Sequence, residues 1–303
     1  MNRVLEPPPN PPAAPPRDRL VIPLALAAVY LVWGSTYLAM RIGLEGFPPF
    51  GMAGVRFVLA GGGLMLALRA RGAAPPAGPQ GGGAALVGCL LLGGGNGGVM
   101  VAEHAGVTSG LAALGVATVP LWTSLFAGLW GQWPLRREWL GLAVGFAGVV
   151  CLLEGGLRAS PVGAAALAVS AVSWAFGSVW SRRLPLPAGA MAAGAQMLCG
   201  GVGLLAASLL TGEHLRAMPP APPVWAFVYL VFGAVIGYSA YMYLLPRVRP
   251  ALATSYAYVN PVVAVALGAL LAGERLGAQG LAALVLIVLG VGLTALAKPP
   301  AAE

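Results

Sequence analysis

Much of this chain is spelled twice, in apolar segments long enough to cross a bilayer, and the second copy trails the first by about 140 residues. Trp33 and Arg41 recur as Trp174 and Arg182. Ala53-Gly54-Val55-Arg56, followed by Gly61, Gly63 and Leu64, recurs as Ala193-Gly194-Ala195-Gln196, followed by Gly201, Gly203 and Leu204. Pro120, deep in one apolar run, recurs as Pro261 in another. Duplicated apolar segments with breakers at matched depth are a hallmark of transporter folds.

The composition requires a membrane. Apolar residues make up 58% of the 303 and charged residues 9%, against about 25% charged in a soluble domain. Long runs of about 20 apolar residues identify helices rather than a barrel. Ten such runs are expected, at about 20–40, 49–68, 84–102, 107–131, 139–156, 161–181, 188–210, 224–245, 251–272 and 279–297. The chain therefore divides into a Pro-rich tail (1–19), a first five-helix repeat (20–156), a second (157–297) and a short tail (298–303). Pro7 to Pro9, Pro11, Pro12, Pro15 and Pro16 keep the first tail extended. Cys89, Cys151 and Cys199 lie inside apolar runs without metal-ligand spacing, so neither a metal, a cofactor nor a disulfide framework is expected.

The net charge of +8 would suggest nucleic acid in a soluble chain. Here it follows the positive-inside rule. With both termini cytoplasmic, twelve Lys and Arg fall on the cytoplasmic side and four, Arg41, Arg158, Arg216 and Arg275, on the other, with Arg56 inside a span. An odd number of spans per copy sends the second copy in from the opposite side. The expected fold is all-α, with two inverted repeats suited to alternating access.

Trp33-Gly34-Ser35-Thr36-Tyr37 to Arg41, Gly46-Phe47-Pro48-Pro49 and Arg56-Phe57 resemble the opening of an EamA domain of the drug/metabolite transporter superfamily, most like its YedA-like exporters. The likeness extends to Ala102-Glu103-His104, Val119-Pro120, Asn260-Pro261 and Gly273-Glu274-Arg275. It implies ten helices in two EamA repeats, a central substrate cavity, and export of small metabolites such as amino acids across a bacterial-type inner membrane. One departure is that the first repeat carries Gln132-Trp133 where the second has Gly273-Glu274.

Several residues are candidates for the solute path. Pro120 and Pro261 free the carbonyls of Val116 and Ala257, which in lipid must face protein or a water-filled cavity; an ordinary packing kink is the alternative. Trp33, Tyr37, Trp122, Trp174, Tyr238 and Tyr241 are rings at span depth, suited to an apolar or aromatic solute or to plain packing. Asn96, in the glycine run 93–98, either faces the cavity or bonds between helices, and Asn260 adjoins Pro261. Gly93/Gly97 and Gly233/Gly237 have the small-residue spacing of close helix approach. Arg56, whose repeat mate is Gln196, either grips a substrate carboxylate or ties helices together. Glu103 and His104 offer a route for proton coupling or form a solvated helix end.

These features favour a secondary transporter of small amphipathic solutes, with the bilayer and the solute as partners. No nucleic acid or obligate protein partner is implied. Exchange of sugar phosphates or nucleotide sugars is disfavoured because Arg56 is the one cation at depth. A membrane-embedded enzyme needs paired acid–base groups or a metal set. The chain has two histidines, no His-Glu-x-x-His and no paired carboxylates in a span, so no catalytic residue is assigned.

Overall fold

The structure, a computed structural model, describes residues 18–152, 160–215, 217–244 and 256–296. The Pro-rich tail lies outside them except for Asp18 and Arg19, which open the first helix. Glu154, Arg158, Arg216, Arg247, Arg249 and Lys298 also lie outside the described residues.

Every regular element among the described residues is helical. Seven helical stretches are long and apolar enough to span a bilayer, and Glu138–Cys151, Val259–Ala272 and Ala278–Gly290 are shorter apolar helices. Helices α1 (Asp18–Gly43) and α2 (Pro49–Ala70) open the chain. Pro49 takes the first position of α2, where the missing N–H is not needed. The third stretch contains α3 (Gly78–Gly88), a π-helical segment (Cys89–Asn96) and α4 (Gly97–His104).

Such a wide π turn leaves carbonyls in need of donors. Ser170 Oγ supplies one to Gly95 O at 2.6 Å, and Ser173 Oγ another to Leu90 O at 2.7 Å. The glycine run 93–98 thus overlaps the π segment, and both serines come from α8 (Pro161–Ser181).

The fourth stretch departs from expectation. It is not one helix kinked at its middle but two, α5 (Ser109–Val116) and α6 (Val119–Gly128), with Pro120 in the opening turn of the second. A proline there costs no hydrogen bond, so the chain breaks at Ala117-Thr118 instead of straining through Pro120. Thr118 Oγ1 caps the break by donating to Gly115 O at 2.7 Å. Helices α7 (Arg136–Leu152), α9 (Ala190–Leu210), α10 (Ala221–Leu244), α11 (Tyr256–Ala272) and α12 (Ala278–Leu296) complete the described structure. Pro261 remains inside α11.

Glycine sets the main contacts. A methyl added at Gly61 would lie 2.6 Å from Gly194 O, and one at Gly201 would lie 2.9 Å from Gly54 O. Gly61 meets Gly194 while Gly54 meets Gly201, so α2 and α9 run antiparallel with their backbones touching. Helices α7 and α12 do the same through Gly145 against Gly290 and Gly148 against Ile287.

A third contact is reciprocal. The indole of Trp33 (α1) covers Gly237 (α10), and that of Trp174 (α8) covers Gly95 in the π segment. Each tryptophan is seated on a glycine of the other sequence copy. Of the expected small-residue pairs, Gly233/Gly237 does take α1, through Val32 and Trp33. Of the other pair, Gly97 receives Leu204 of α9 while Gly93 meets nothing outside its own helix; Gly94, Gly95 and Gly98 receive α8.

Gly61→Leu has no room and is expected to lower stability by about 1–3 kcal/mol, or more because the obstacle is backbone. Gly62→Leu, where an added methyl meets nothing within 4 Å, leaves stability unchanged. Thermal unfolding of the protein in nanodiscs, followed by tryptophan fluorescence, compares the two.

Candidate functional site

Helix periodicity assembles the site. Trp33, Tyr37 and Arg41 are four residues apart on α1 and form one stripe. Tyr238 and Tyr241 share a face of α10, Tyr256 and Asn260 one of α11, and Asn96 and Glu103 lie seven apart on the stretch ending α4. The Trp33 indole sits 5.4 Å from the Tyr238 ring, 5.3 Å from Tyr241 and 4.9 Å from Tyr256. Edge contacts dominate, as the ring quadrupoles favour. Tyr256 was not among the expected site residues and completes this cage.

Other candidates lie elsewhere. Trp122 joins a second aromatic cluster, 5.0 Å from Phe146 and 6.5 Å from Phe126. Trp174 packs on Gly95, beside Asn96. Gln196 is buried in α9, in the helix that packs on α2.

Several buried polar atoms in the helices are without partners. Asn96 Oδ1, Asn260 Oδ1, Arg56 Nη1 and both Glu103 carboxylate oxygens are buried and make no hydrogen bond. The expected aqueous space is therefore shut to solvent at these atoms. Arg56 keeps both of its expected roles open: Nε donates to Leu230 O at 3.1 Å, tying α2 to α10, while Nη1 remains free. The expected Glu103/His104 pair is split. Glu103 is 6% exposed, whereas His104 is exposed, since adjacent helical positions point in different directions.

Above Glu103 lies a closure that sequence reading did not assemble. Glu274 follows Gly273, whose φ of +64° turns the chain so that Glu274 N donates back to Gly268 O at 3.0 Å. Its carboxylate then caps α5. Ser109 N and Oγ donate to Oε1 at 3.0 and 2.9 Å, and Gly110 N donates to Oε2 at 3.2 Å. Arg41 Nη1 completes the set as an ion pair with Oε1. Burial pushes the Glu274 carboxyl up, but the Ser109 and Gly110 N–H groups, the Ser109 hydroxyl and Arg41 outweigh it and hold it below the ordinary value of 4.5.

A second carboxylate works in the same way. Glu213, after α9, accepts from Phe50 N at 3.1 Å and Gly51 N at 2.8 Å at the start of α2. Two clefts open beside the Glu274 closure: one is lined by Thr108, Gly110, Val265 and Glu274, and the other, of about 430 Å3, by Leu111 and residues 275–280.

The EamA-like transporter family model matches residues 20–154 and again 161–296. The chain belongs to the EamA-like transporter family. It is 50% identical to the uncharacterized inner membrane transporter YedA of Escherichia coli (strain K12), over 93% of this chain and 94% of that protein. A probable amino-acid metabolite efflux pump of Salmonella typhimurium is 27% identical over 88% of this chain and 92% of its own length. A solved crystal structure shares the fold at a TM-score of 0.64 and 23% identity, over 90% of this chain and 96% of the other. The chain is thus a membrane transporter of two EamA repeats.

The sequence signals for the closure were faint. Arg41 and Glu274 are opposite charges 233 positions apart, and Thr108-Ser109-Gly110 reads as a helix start. As far as the ionisation of Glu274 itself sets them, the cap and ion pair are complete above the ordinary glutamate range and fade as pH falls through the lowered Glu274 value. Arg41 is 38% exposed, so a double-mutant cycle with Arg41→Met and Glu274→Gln is expected to give a coupling of only about 1 kcal/mol. Unfolding midpoints measured across mildly acid pH check both the size and the direction.

Proposed function

We propose that this protein exports small zwitterionic or neutral amphipathic metabolites, amino acids foremost, from the cytoplasm across a bacterial-type inner membrane. Ten membrane helices in two inverted five-helix repeats alternate access around a central site, with both termini cytoplasmic. The antiparallel contacts of α2 with α9 and of α7 with α12 support the inversion.

One observation carries the solute reading. Asn96, Asn260 and Arg56 hold buried polar atoms with no partner in the protein, and such atoms are costly unless something else bonds them. A solute with donors and acceptors fits that need. The cage of Trp33, Tyr238, Tyr241 and Tyr256 offers its apolar part a surface. The probable amino-acid metabolite efflux pumps among the relatives favour the same solute class. Arg56 is the one buried basic side chain among the described residues, too little cationic charge for a phosphorylated sugar.

Counterflow in proteoliposomes against a panel of radiolabelled amino acids tests the reading. Saturable exchange of at least one of them is expected. Trp33→Ala and Tyr238→Ala should change the order in which unlabelled amino acids compete. Competition identical to wild type would leave both rings as packing, and an absence of any exchange would remove amino acids as the solute class.

A further inference from the structure

Glu103 is left unexplained by packing, because both of its oxygens are buried and accept nothing. Its surroundings contain few charges. From α1, Tyr37 and Arg41 lie within electrostatic range, and from the turn after α11 so does Glu274. Arg275, in the same turn, is exposed and lines the neighbouring cleft. Helices α5 and α8 pack on α4 and carry no ionisable side chain. From α2, Arg56 is turned to Leu230 O of α10, and Arg69 lies at the opposite end of that helix. On α4 itself His104 is exposed, and in the π segment Cys89 is also exposed.

We propose that Glu103 is a proton-binding site that governs the Arg41–Glu274 closure. An ionised carboxylate with no donor is costly in apolar surroundings, so the closed arrangement suits a Glu103 that carries its proton. When the O–H bond breaks and the proton passes to water at the Arg41 end of the bundle, the new anion needs a cation. Arg41 is the near guanidinium, already shared out to Glu274. Its transfer from Glu274 to Glu103 removes the ion pair from the cap of α5 and loosens the tie between α5 and the end of α11. Reprotonation of Glu103 returns Arg41 and closes the end again. Glu103 and Glu274 thus compete for one arginine, and the proton decides which holds it.

This deepens the transport reading by naming what controls one end of the path, and its test does not depend on knowing the solute. The amides of Ser109 and Gly110 donate only to Glu274 among the bonds described, so their exchange reports the closure. Those of Phe50 and Gly51, held by Glu213, provide an internal reference. Hydrogen–deuterium exchange is measured on the protein in nanodiscs across mildly acid to mildly alkaline pH, with rates corrected for the intrinsic pH dependence of exchange.

In the wild type, protection at Ser109 and Gly110 is expected to fall as pH rises, by up to about tenfold per unit once Glu103 ionises. Phe50 and Gly51 stay constant. Glu103→Gln, which has no proton to release, should give a flat profile at all four amides. A pH response in the variant equal to that of the wild type, or a flat wild-type profile, overturns the proposal. If the variant loses protection at Phe50 and Gly51 too, it has lost the fold, and the wild-type profile decides alone. Release of Glu274 by protonation lies on the acid side, so loss towards alkaline pH supports the proposal and loss confined to acid pH overturns it. Amino-acid counterflow with a flat exchange profile would sink this inference and leave the transport reading intact; a responsive closure without counterflow would do the reverse.

Discussion

Inside hydrocarbon a polar group has no water to turn to, and most of this structure follows from that constraint. The π segment is tolerated because Ser170 and Ser173 reach its carbonyls. The break before Pro120 is tolerated because Thr118 bonds back to Gly115. Arg56 Nε finds Leu230 O, and the N–H groups at the buried start of α5 find Glu274. Against that thorough pairing, the bare atoms of Asn96, Asn260, Glu103 and Arg56 stand out. The solute and proton proposed above are what these atoms would bond under the transport reading.

The two copies of the scaffold are not chemically equivalent. Two carboxylates that cap helix starts across the repeat boundary, Glu213 and Glu274, come from the second sequence copy and cap helices of the first, whereas Glu138 of the first copy bonds Leu135 N at the start of its own helix. At the position matching Glu274 the first copy has Trp133, which is 63% exposed and packs over Gly128. Arg56 likewise has a neutral counterpart at the matching position, Gln196. A pair of equivalent bundles would bind a solute alike from either end.

The sequence made the membrane, the helical class, the duplication and the matched positions of Trp33 and Trp174 legible, because each rests on composition or on repeated spacing; the glycines that seat the two rings were not. The details that failed have physical reasons. Apolar periodicity does not reveal that a glycine run will widen into a π turn, since the side chains look alike either way. It could not show that the chain breaks before Pro120, because the same proline suits a kink and a helix start. Placing Glu103 with His104 assumed that neighbours in sequence share a surroundings, and one position on a helix is enough to send one to the interior and the other out. The Arg41–Glu274 pair needs the tertiary fold before it exists at all.

The crossed seating of the two tryptophans bears on how the chain is made. Trp33 leaves the ribosome 204 residues before Gly237, the backbone surface that receives it. At roughly 5–20 residues per second, α1 waits about 10–40 seconds in the bilayer before its seat is synthesised. Trp174 meets the reverse situation, because Gly95 is already in place when it emerges. The nascent first half must therefore be tolerated by lipid or by the insertion machinery while its own contacts are incomplete, and final assembly depends on the last helices to be translated.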